Sequence, residues 1–122
     1  MRWADRAILS EAKTCLADQL KRCSEHLREA VAYLSVIPGT PQQRLRRMVS
    51  KTSFGNVAED EFPSGPMRYD FAAITGQMGK YSEPQFGKIE SMCDERAQRV
   101  IEQIGELSES VADALGRPSK SA

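Results

Sequence analysis

Between Thr40 and Gly55 the chain reads TPQQRLRRMVSKTSFG, with Arg44, Arg46, Arg47 and Lys51 and no acid to balance them. The flanking acids are as far away as Glu29 and Glu59. On a helix, Arg44, Arg47 and Lys51 share one face, because they follow one another at steps of three and four, while Arg46 points elsewhere. Such a face could contact phosphates, with an affinity that falls steeply with salt. Ser50, Thr52 and Ser53 could add hydrogen bonds. Three features argue for the plainer view of a solvated helix face. No aromatic residue interleaves the cations, as a single-strand platform would require. Glu59, Asp60 and Glu61 follow closely and could fold back to neutralise them. The next loop is also too long and acidic for a helix-turn-helix. Nucleic-acid contact through Arg44, Arg46, Arg47 and Lys51 therefore stands as the second reading.

His26 is the only histidine. A helical chain with one helix-borne histidine invites comparison with histidine-phosphotransfer domains, whose histidine lies in a pattern like H-x-L-K-G. Here the stretch is HLREA, so Arg28, Glu29 and Ala30 stand where that pattern has Leu, Lys and Gly. Glu29 would repel a phosphoryl group. His26 reads instead as a boundary residue near Arg22 and Arg28. Cys23 shares its helix face, and Cys93 could join from another helix. Those are at most three zinc-type ligands without C-x-x-C spacing. Cys23 and Cys93 both fall on apolar stripes, where a free cysteine packs as a small hydrophobe. No metal or cofactor is expected.

Nothing in the chain has the form of a catalytic dyad, a Gly-rich phosphate loop or a G-x-S-x-G elbow. The carboxylates near the C-terminus scatter over polar faces, where Glu95 can pair with Arg99. The sequence therefore points away from an enzyme.

The elements that must carry these residues are marked out by Gly and Pro. From Met1 to Ile37 neither occurs. A first long helix is predicted from Trp3 to Val36, with the stripe Leu9, Ala12, Leu16, Leu20, Cys23, Leu27, Ala30, Leu34, Ile37 keeping one face inward. Pro38 ends it. Thr40, Pro41 and Gln43 form a capping box with Pro at the first helical position, starting a short helix with Leu45, Met48, Val49 and Thr52 inward and Gly55 at its end. A second short helix is predicted from Pro66, with Met67, Phe71, Ile74, Met78 and Tyr81 inward. A last long helix is predicted from Glu83 to Leu115, capped by Ser82 and Gln85. Its stripe reads Phe86, Ile89, Cys93, Ala97, Val100, Ile104, Leu107, Val111, Ala114.

The sequence thus predicts an all-α, elongated helical bundle in one domain, residues 1–116, with a flexible tail at 117–122. Either the short helices form a hairpin in an up-down four-helix bundle, or they make the broken middle arm of a three-rod bundle. A chain of 122 residues can bury roughly two thirds of its unfolded surface without staples. Its 17 basic and 17 acidic residues cancel, so any nucleic-acid role would have to be local.

Asp5 and Glu11 interrupt any signal-peptide core. The longest apolar run, AVAYL at 30–34, is far short of a membrane span. Three cysteines without an export signal suit reduced thiols and the cytoplasm. Cys15 and Cys23, about 12 Å apart on one helix, cannot bridge. Two short helices cannot fully cover two seams of about 50 Å each, and uncovered apolar surface of that kind usually marks a partner interface. The expected function is a non-enzymatic protein–protein interaction module, of the adaptor, chaperone-like, regulatory or immunity type, acting as a homodimer or with a protein partner. Trp3, Tyr69, Phe71 and Met78 are its candidate contacts.

Overall fold

The computed structural model describes the backbone of residues 2–62 and 65–120, and the side chains of 18–62 and 65–115. It is all-helical, with no strand among the described residues. The helices are α1 (Arg2–Val36), α2 (Pro41–Lys51), α3 (Gly65–Met78) and α4 (Asp94–Lys120). Short 3₁₀ turns at Ser53–Asn56 and Glu59–Glu61 lie between α2 and α3.

α1 stops two residues before Pro38, as its steric demand on Ile37 requires. The cap of α2 forms as the sequence predicts. Gln43 N donates to Thr40 Oγ1 at 3.2 Å, and Thr40 N donates to Gln43 Oε1 at 3.1 Å. Leu45, Met48 and Thr52 are buried. α2 ends before Gly55, however. Thr52 turns extended, its hydroxyl donates to Met48 O at 2.7 Å, and the same oxygen accepts from Phe54 N.

The largest departure lies in residues 79–93. The expected helix start at Ser82 and Glu83 does not form, and α4 begins at Asp94. The Glu83–Pro84 peptide is cis and Phe86 has φ 61°, neither of which fits a helix. The chain instead makes successive short turns, with Gly87 N donating to Pro84 O, Ile89 N to Phe86 O and Met92 N to Ile89 O. Phe86, Ile89 and Met92 are buried all the same. Their helical spacing reflects burial within a turn-rich segment. Cys93, expected on the stripe, is exposed. Tyr81, expected inward, is 74% exposed because α3 has already ended at Met78.

α4 packs against α1, α2 and α3. α2 and α3 do not pack against each other. Residues 79–93 bond to both: Arg46 of α2 reaches Phe86 O and Glu90, and Lys88 N donates to Met78 O of α3. One continuous core joins Leu27, Ala30 and Leu34 to Leu45, Met48, Phe71, Ile74, Val100, Ile104 and Leu107. The connections add Phe54, Val57, Phe62, Phe86 and Ile89 to it. Among the described residues, the long helices thus cover one another, with α2, α3 and the connecting segments completing the core.

Candidate functional site

The basic segment is where geometry constrains function most. Arg44 Nη2 donates to Leu34 O at 2.6 Å, satisfying a free carbonyl in the last turn of α1. Its Nε lies buried without a partner among the described residues. Arg46 forms a forked pair with Glu90, at 2.6 and 2.8 Å, and also donates to Phe86 O at 2.8 Å. The hydrogen bonds from Arg46 hold the Glu90 carboxyl below its ordinary value and raise the guanidinium further. Only Arg47 and Lys51 remain exposed. The face expected to carry Arg44, Arg47 and Lys51 is therefore reduced by one, and Arg46 acts as an internal clamp.

The acidic triplet does not neutralise these cations. Glu59 accepts from the Tyr81 hydroxyl at 2.7 Å, and Glu61 accepts from Ala58 N at 2.6 Å. Beneath them lies Lys80, buried, donating to Val57 O at 2.5 Å and standing 5.0 Å over the Phe71 ring. Burial lowers its pKa, offset in part by Glu59, Glu61 and Asp60. Nothing in the local string MGKY distinguishes this lysine from a solvated loop residue.

His26 Nδ1 lies 2.5 Å from Ser53 Oγ, and Ser53 N donates to Glu29 Oε1 at 2.8 Å. His26 thus ties α1 to the turn after α2 rather than resting against Arg22 and Arg28. Cys23 is buried, and its thiol donates to Glu61 O at 3.3 Å. With Cys93 exposed, Cys23, His26 and Cys93 are not assembled, and no metal-holding group of His, Cys, Asp and Glu occurs among the described residues.

Burial pushes the Cys23 thiol from its ordinary 9.0 to about 11. The folded state therefore keeps a proton that the unfolded chain gives up. Its stabilising effect is full below pH 9.0 and is lost as pH rises through about 11. A rise of that size is worth at most about 3 kcal/mol. Urea denaturation across this window should show a steeper loss for the native chain than for Cys23→Ser. Parallel profiles would contradict the assignment.

The expected partner contacts divide. Phe71 and Met78 are fully buried and belong to the core, not to an interface: the former meets Phe54 and Phe62 edge-on and tilted. Trp3 and Cys15 lie outside the described side chains. Tyr69 is 76% exposed on the outer face of α3, while its neighbour Arg68 turns back to Phe62 O. Beside it, α3 and α4 form a cleft of about 220 Å³, with Ala73, Ile74 and Leu107 as apolar walls and Asp70 and Glu106 among its polar lining. The expected pair of Glu95 with Arg99 gives way to Arg99 bridging Glu102 and Glu106, at 3.6 and 3.2 Å.

No family model, curated protein or solved structure matches this chain. The cleft is not visible in the sequence because its walls come from two helices, and no spacing along either one reveals it. Among the described residues, no helix is long and apolar enough to cross a membrane.

Proposed function

We propose that the chain is a non-enzymatic helical protein–protein interaction module, of the adaptor, chaperone-like, regulatory or immunity type, working as a homodimer or on a protein partner. The observation that carries this is Tyr69, 76% exposed on α3 and one helical turn before Ala73, a wall of the α3–α4 cleft. Tyrosine joins a large apolar ring to a polar hydroxyl and is enriched at interfaces. Engagement of Arg44 and Arg46 in internal bonds weighs against phosphate binding, since only Arg47 and Lys51 stay available. Within this proposal the helices run up and down in turn as in a four-helix bundle, with α4 in the middle and without the expected hairpin of α2 on α3. Antiparallel bonding supports it: Arg44 meets Leu34 while Ser53 meets Glu29, and Gln77 meets Gln103 while Asp70 lies by Ser110. The cytoplasm is the compartment that would keep Cys23 and Cys93 reduced.

Size-exclusion chromatography with light scattering, at tens of micromolar, tests the proposal. The expected mass is twice 13.6 kDa, or that of a complex with a co-purified protein, unchanged between low and moderate salt. Tyr69→Asp should shift it towards the monomer. A monomer without bound protein overturns the proposal, and nucleic acid released as salt rises would favour phosphate binding instead.

A further inference from the structure

The α3–α4 cleft combines apolar walls with two exposed carboxylates, of which Asp70 has no ion pair among the described residues and Glu106 is paired with Arg99. At about 220 Å³ it falls below the roughly 300–1,000 Å³ of small-molecule sites. It suits one long side chain better than a cofactor. Ala73, Ile74 and Leu107 supply apolar surface, while Asp70 from α3 and Glu106 from α4 stand on opposite walls. Asp70 is exposed and makes no ion pair or hydrogen bond with another described residue. Glu106 shares the exposed Arg99 with Glu102, a pairing weak enough to exchange.

We infer that this cleft is a socket for an arginine side chain projecting from the protein partner. The inference rests on the interaction-module reading above. Three properties favour arginine. Its methylene stem can lie on apolar walls while the head stays at the wet mouth. Its planar guanidinium can fork between carboxylates in two directions. It can also stack on an aromatic face, and Tyr69 precedes the cleft wall Ala73 by one helical turn. An acidic anchor would be repelled, and an apolar one would draw nothing from Asp70 and Glu106.

The test titrates the full chain with n-butylguanidinium, following amide chemical shifts by NMR. n-Butanol and guanidinium are run as separate controls. Saturable shifts at Ala73, Ile74 and Leu107 are expected with n-butylguanidinium and with neither control. Asp70→Asn and Glu106→Gln should each weaken binding about two- to fivefold, the factor an exposed ion pair supplies. Both positions are exposed, so the variants should keep the native spectrum elsewhere. Equal shifts with n-butanol would reduce the cleft to an apolar dent, and equal shifts with guanidinium to surface charge. Either result, or no shift at all, overturns the socket. The oligomer mass reads the interaction module separately, so its failure is distinguishable from failure of the socket.

Discussion

Phe71→Ala should cost about 3–5 kcal/mol, a large share of the roughly 5–15 kcal/mol that holds a domain folded. Phe71 is fully buried, with its ring 5.4 Å from Phe54 and 4.8 Å from Phe62. Removing it opens a cavity where α3 meets the segment before it. It also takes away the aromatic face under the Lys80 ammonium, leaving a buried cation with Val57 O as its hydrogen-bond acceptor. Urea unfolding at neutral pH should show a lower midpoint with unchanged slope. Phe71→Leu should recover part of the loss. The measurement also separates core from interface. A Phe71 that served a partner would change the oligomer mass and leave the urea midpoint almost where it was.

The second large effect belongs to Gly79. Its φ of 78° is a conformation L residues avoid, and an added Cβ would lie 2.8 Å from Lys88 Cγ and 3.0 Å from Lys88 N. That nitrogen donates to Met78 O, so it is not free to withdraw. Gly79→Ala should lose about 2–3 kcal/mol. Gly76→Ala is the matched control. It lies inside α3, its added Cβ meets nothing within 4 Å, and it should gain up to about 1 kcal/mol. Equal melting shifts for the two variants would show that the turn at Gly79 does not constrain the chain.

What the sequence revealed follows from the range of the interactions involved. The cap of α2 was legible because Thr40, Pro41 and Gln43 satisfy one another within one turn. The end of α1 at Pro38 and the inward Leu27, Leu34, Leu45 and Phe71 were legible for the same reason: a local rule and a 3.6-residue period suffice. Residues 79–93 were not. Phe86 and Ile89 keep helical spacing, and Ser82 with Gln85 imitates a cap. The conformation is decided instead by partners 44 and 50 residues away, Arg46 gripping Glu90 and Gln42 reaching Met92 O. The basic segment misled in a similar way. Its composition was plain, but the engagement of Arg44 and Arg46 depends on Leu34 and Glu90, which share no motif with it. Tyr69 was legible as a contact candidate. The cleft beside it, needing Leu107 and Glu106 from α4, was not.

The helix that touches all three others is also the last of them in chain order. During synthesis the chain emerges with α1 and α2 able to pair early through Arg44 and Leu34. Phe54, Phe62 and Phe71 can then meet one another, but the faces of α2 and α3 that pack on α4 must wait uncovered until residues 79–111 leave the ribosome. Closing contacts over such separations is slow relative to local helix formation, and exposed apolar surface in that interval invites aggregation. A premature stop between α3 and α4 would therefore yield a sticky nascent fragment in need of a chaperone, rather than a smaller stable domain.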